Sequence, residues 1–179
     1  MTNIYCTKKL EKLVGKKLLG QEEAQGNKLG NWNADVFHLQ GKKCLILMND
    51  ITYYSLFFLD IRKVDLLKFS ELFYARFIEQ LDYDKIDFPV ECSPALIAET
   101  TAQFLPTNNN RKVLGTMTDF LRAVEYFFHD KYHGQLSNID VNELNHNYTN
   151  FLVGALSPKQ GKYGKPIDEM KKKIEEICS

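Results

Sequence analysis

The chain has 179 residues, 44% of them hydrophobic, with 23 basic and 23 acidic side chains. That length suits one domain, which buries about 70% of its unfolded surface and needs no staple. Balanced charge argues against a general polyanion binder and against an acidic disordered tail.

No apolar run approaches the ~20 residues of a membrane span. The lysines near the start precede no apolar segment, so no membrane association and no secretory signal are expected. Cys6, Cys44, Cys92 and Cys178 are widely spaced and form no C-x-x-C pair. They read as free thiols in a reducing compartment, hence a cytoplasmic protein, and not as a zinc ligand set.

Residues 2–5 read as a short first strand, and Thr7 as the cap of a helix over 8–18. A polar, Gly-bearing loop follows to Asn31. Ala34–Leu39, Lys43–Met48 and Tyr53–Leu59 are three short β-rich runs, parted by Gln40-Gly41 and Asn49-Asp50. That spacing predicts an antiparallel meander. Cys44–Met48 shows no polar alternation and reads as a strand covered on both faces.

After Asp60 the period becomes helical, with Leu66, Phe69, Phe73, Phe77 and Leu81 on one face of a helix over 62–81. Ser93-Pro94 reads as the start of a helix ending near Gln103. Arg111–Leu114 reads as a further strand, and Thr116–Asp119 as a capping box. The helix it opens carries Met117, Phe120, Leu121, Val124, Phe127 and Phe128, and Gly134 stops it. Asp140 caps another helix, through Leu152. The expected architecture is α+β: a small antiparallel β-meander sheet covered by about five or six helices. Residues 1–156 form the domain, 157–165 a basic flexible linker, and 166–179 a C-terminal helix packing on the domain.

Few residues carry a chemical signature. His129 and His133, four apart near a helix end, are the candidate metal ligands, although no metal is expected and no Glu follows His129. His38, Arg111 and Asp119 are the candidate catalytic groups, since His titrates near neutrality and Arg111 sits in an Asn-rich turn suited to an anion. Cys92, beside a helix cap, is a candidate nucleophile, and Cys44 reads as inert. His146, among asparagines, reads as part of a solvated face. Phosphate loop and nucleophile elbow are both missing, so no cofactor is expected.

Charge is segregated along the chain. Residues 1–43 hold eight lysines against four acids, and residues 159–179 six against four. Residues 79–103 hold six acids against Lys85. Lys8 and Lys9 sit against the dipole at a helix start, which points to a partner. The binding candidates are Lys8, Lys9, Lys12, Trp32, Lys42, Lys43 and Arg111, a basic patch able to touch RNA phosphates.

Two blocks carry a resemblance: Leu29-Gly30-Asn31-Trp32-Asn33-Ala34 and Asn110-Arg111-Lys112-Val113-Leu114-Gly115-Thr116-Met117-Thr118-Asp119-Phe120. Together they resemble a family of small bacterial domains of unknown function, some fused to plasmid ORF-3-like proteins. The resemblance implies a host bacterial cytosol and transfers no catalytic residue. In type and size the chain is also similar to anti-CRISPR proteins of Gram-positive mobile elements. That analogy implies an inhibitor acting on a Cas9–guide RNA complex, by binding Cas9, by promoting guide-RNA truncation, or both. A metal-independent ribonuclease in its own right and an antitoxin-like regulatory partner are the alternatives.

Overall fold

A computed structural model describes residues 1–24, 28–89, 92, 101–156 and 163–178. Its centre is a five-stranded sheet in the order β4-β3-β2-β1-β5. Strands β2 (Trp32–Leu39), β3 (Lys42–Asn49) and β4 (Ser55–Phe58) form the meander that the sequence predicts. The β2–β3 turn has positive φ at both Gln40 (49°) and Gly41 (72°), the conformation that tight hairpins require.

The sheet as a whole is mixed, not antiparallel. β1 (Thr2–Cys6) pairs parallel with β2 on one side and with β5 (Ala102–Leu105) on the other. β5 falls partly where a helix to Gln103 is predicted. A strand partner 100 residues away in the chain overrides the local pattern there. The remainder of that predicted helix, from Ser93 to Thr100, lies outside the described residues, as do 157–162 of the predicted linker. Gly164, within that linker, forms an antiparallel bridge with Val153.

Six helices flank the sheet among the described residues. α1 (Lys8–Val14) is capped by Thr7 and stops at Gly15, short of the predicted Leu18, because Gly15 takes φ 78°. The predicted 62–81 helix is two pieces, α2 (Lys63–Leu67) and α3 (Phe69–Tyr83), broken at Lys68. α4 spans Arg111–Asp130. Arg111–Leu114 is therefore its first turn and not a strand. The Asn110 side chain caps it by accepting from Val113 N, and Thr116–Asp119 lie inside the helix. The apolar stripe begins one turn earlier than predicted, at Val113, which is why the helix starts there. α5 (Val141–Thr149) starts at the Asp140 cap and ends before Leu152. α6 (Pro166–Cys178) is the predicted last helix.

Both faces of the sheet are covered. Trp32, Ala34, Val36, Leu45, Leu47, Leu56 and Phe58 face α1, α2, α3 and α6. Phe37, Leu39, Cys44, Ile46, Met48 and Phe57 face α4 and α5. β3 is buried on both sides, which explains its unbroken apolar run. Trp32 is fully buried, its indole edge-on to Phe73 at 5.2 Å and to Phe77 at 6.0 Å. It is a core anchor and offers no binding surface.

The cysteines depart from the expectation of four free thiols. Cys92 and Cys178 form a disulfide with Cα atoms 5.3 Å apart, tying the segment after α3 to the end of α6. Cys92 is thereby removed as a nucleophile candidate. Cys6 and Cys44 are free and fully buried, and desolvation pushes both thiols above their ordinary range. Iodoacetamide is expected to label no thiol in the native protein, two after unfolding without reductant, and four after unfolding with it. Mass spectrometry of the alkylated chain reads the count.

Candidate functional site

β1 stops at Cys6, paired only as far as Ala34 of β2. The chain turns there: Thr7 N donates to Ala34 O at 2.9 Å, and α1 leaves the sheet. The outer half of β2 consequently has no strand on that side. α1 flanks this gap on one face of the sheet and α4 on the other. Between them lies an open cleft of about 760 Å³.

Its rim is cationic. α1 supplies Lys9 and Lys12, β3 supplies Lys43, and α4 supplies Arg122. Lys9, Lys12 and Lys43 make no ion pair among the described residues. Arg122 reaches Asp119 at 3.5 Å, but both side chains are about three-quarters exposed, so the pair holds it weakly. Asp35 and Glu125 are the acids in the lining. Asp35 is occupied at the floor, where it accepts from the Thr7 hydroxyl and from Val36 N, and so satisfies an N–H of the unpaired strand.

The cleft continues past His38, Arg122 and Glu125 into a second hollow of about 760 Å³. Tyr126 and His129 line this part, and Tyr126 is 66% exposed. Cations and an exposed aromatic ring along one open channel can hold a chain of phosphates and stack a base.

Four of the predicted residues therefore meet: Lys9, Lys12, Lys43 and His38. The others do not. Lys8 is held by Glu11 at 3.1 Å and Lys42 by Asp60 at 3.3 Å. Arg111 is exposed at the start of α4 and lines neither hollow, and Asp119 is exposed on the outer side of α4, so the trio His38, Arg111 and Asp119 does not converge. His133 lies beyond the end of α4 with φ 52°, so the helical spacing that would join it to His129 is absent. No cluster of three metal-binding side chains exists among the described residues. Arg122, Glu125 and Tyr126 are not among the predicted site residues. Their signal was the polar stripe of the helix, Thr118, Arg122, Glu125 and His129, at spacings of three and four.

A second group that the sequence did not reveal lies in the interior. Asp84 is fully buried and accepts from four side chains. The Tyr54 hydroxyl donates to Oδ2, Gln80 Nε2 to Oδ1 at 3.1 Å, His146 Nδ1 to Oδ1 at 2.6 Å, and the Thr149 hydroxyl to Oδ2 at 3.4 Å. Burial beside this carboxylate pushes the Tyr54 phenol far above its usual range. Gln80 continues the chain to Asn145, whose Oδ1 accepts from Phe57 N on the edge strand β4 at 2.7 Å. The network thus closes the sheet edge and fastens α5 to α3. His146 reaches it from a half-exposed position, its ring partly solvated as expected while Nδ1 meets the carboxylate, and Asp84 leaves the acidic surface patch for the interior.

A family model described as a domain of unknown function (DUF6933) matches residues 3–169. The chain belongs to that family. The match runs from β1 into α6 and so contains every residue of the cleft and of the Asp84 network. No curated protein and no solved structure matches the chain. No helix among the described residues is long and apolar enough to cross a membrane.

Removing the network's central acceptor strands several buried donors. Asp84→Ala is expected to cost about 3 kcal/mol, because the buried hydroxyls of Tyr54 and Thr149 and the Gln80 amide lose their acceptor. Tyr54→Phe removes one donor and leaves the carboxylate its other partners, so about 1 kcal/mol is expected. Urea titrations of the two variants check the ranking.

Proposed function

We propose that this domain is an interaction module that seats single-stranded RNA, within a ribonucleoprotein, in the α1–β2–α4 cleft. The observation that carries the reading is the convergence of Lys9, Lys12, Lys43 and Arg122 on one open channel that continues to Tyr126. Three of these cations have no acidic partner among the described residues, so an anionic ligand displaces no internal ion pair from them. The ammonium groups are mobile point charges, which suits a phosphate chain better than one fixed small anion.

In its narrower form the reading makes the ribonucleoprotein a Cas9-type host nuclease with its guide, and the protein an inhibitor carried by a mobile element. Charge segregation and size support this form and decide the probes to use. A second reading is supported by one feature: His38 and Glu125 line the same cleft. Two such groups can run metal-independent RNA cleavage. One takes the proton of a 2′-hydroxyl as its oxygen attacks the adjacent phosphorus. The other protonates the departing 5′-oxygen, leaving a cyclic phosphate.

The purified protein is incubated with guide RNA, with Cas9 and with both, then run on native and denaturing gels. The binding module shifts the RNA or the complex and leaves the RNA intact. Shortened RNA that requires His38 selects the second reading, and a result with neither a shift nor shortened RNA in any lane overturns both. Each phosphate neutralised on a single strand contributes about −0.7 to the slope of log K against log salt. Four cations therefore give a slope near −3, and Lys9→Ala/Lys12→Ala/Lys43→Ala is expected to bring it near −1.

A further inference from the structure

The channel between α1, β2 and α4 changes character along its length. Its first hollow holds Lys9, Lys12, Lys43 and Arg122. The second holds one permanent cation, Arg122, with Glu125, Tyr126 and His129 beside it. These four come from one face of α4, at three, four and seven residues from Arg122. Glu125 is the member that phosphate binding does not explain. Its carboxylate is exposed and makes no hydrogen bond or ion pair among the described residues. It borders both hollows, where its charge opposes that of a passing phosphate chain. A carboxylate there is suited instead to the donors on a base edge.

Donor pattern decides which base. An ionised carboxylate presents two acceptor oxygens side by side and no donor. On its Watson–Crick edge guanine alone places two donors next to each other, N1–H and the N2 amine, and so meets both oxygens. Adenine and cytosine each offer one amine beside a ring-nitrogen lone pair, and uracil offers one N–H between two carbonyls. In all three a lone pair faces the second oxygen. Guanine also carries the acceptors O6 and N7, for which Arg122 and His129 are donors in the same lining. Tyr126 supplies a surface for the base to lie on. Its ring is 66% exposed, and Phe127 meets it edge-on, with centroids 5.6 Å apart and planes at 74°, which leaves a face open for stacking.

We infer that the second hollow is a guanine-selecting subsite. A guanine of the bound strand stacks on Tyr126 and donates N1–H and N2–H to the Glu125 carboxylate. The cations of the first hollow hold the adjoining phosphates. The inference rests on the RNA-seating reading above and adds to it a base preference, which the cations do not supply because phosphates are common to every sequence.

The test uses the full chain and five-nucleotide RNAs, uridine throughout except for a middle guanosine, inosine, adenosine or cytidine. Binding is read by fluorescence anisotropy of an end label at one fixed salt concentration. The guanosine strand is expected to bind roughly five- to fiftyfold more tightly than the adenosine strand. Inosine keeps N1–H and lacks the N2 amine, so its strand falls between them. Glu125→Gln is expected to abolish the guanosine preference and to tighten the other strands, because a negative charge leaves a cationic channel. Tyr126→Ala is expected to weaken every strand by roughly fivefold or more. Both side chains are exposed, so neither change disturbs the core. Equal affinities for the guanosine and adenosine strands overturn the subsite and leave the RNA reading standing, and so does a preference that persists in Glu125→Gln. Guanosine monophosphate binding as tightly as the guanosine strand overturns the assignment to a strand. No binding by any strand overturns the RNA reading and the subsite together.

Discussion

β1 contributes five residues, all buried, and it pairs parallel with both neighbours. Parallel neighbours cannot be joined by tight turns, so each must be reached through a crossover. The first crossover is α1 and the loop to Trp32, and the second contains α2 and α3. Both place helices on the face of Trp32 and Phe73, and this builds the larger core. The shortness of β1 has a second effect. β2 runs eight residues but is paired with β1 over only three, so the strand continues past its neighbour. That overhang is the floor of the cationic cleft. One five-residue strand therefore sets both the layering of the domain and the position of its best binding surface.

Ionisable groups are treated differently in the two regions. Asp84 is taken fully out of water, and its carboxylate is surrounded by donors from β4's approach, α3 and α5. A group so placed specifies how α5 docks and cannot be spared without leaving donors stranded. Lys9, Lys12 and Lys43 remain in water at the rim of the cleft. Cations of this kind add little to stability and are free to meet a ligand. The contrast separates a structural network from a surface suited to binding, even though both contain histidine and carboxylate.

α4 borders both the cationic cleft and a smaller pocket against α5. One flank carries Arg122, Glu125 and Tyr126 toward the cleft, and the other carries Phe127 toward the aromatic pocket. Its buried stripe, from Val113 to Phe128, fixes the helix against β2 and β3 between them. A twenty-residue helix is long enough to present both flanks from one rigid element.

Local chemistry was sufficient for much of the domain. The meander, the turn at Gln40-Gly41, the doubly buried β3, the Thr7 and Asp140 caps and the apolar stripe of α6 depend on residues close in sequence, and all were legible there. The excess of lysine in the first 43 residues was legible too. Tertiary structure decided the rest, because it depends on partners distant in the chain. β5 became a strand through pairing with β1, and Cys92 and Cys178 bonded across 86 residues. Lys9 and Lys43 face the cleft while their neighbours Lys8 and Lys42 are tied to acids, a difference that pairing makes and composition does not. Asp84 and His146 stand 62 residues apart and meet only when α5 packs on α3. Periodicity reports which face of an element is buried, and it carries no information about which distant side chain lies opposite.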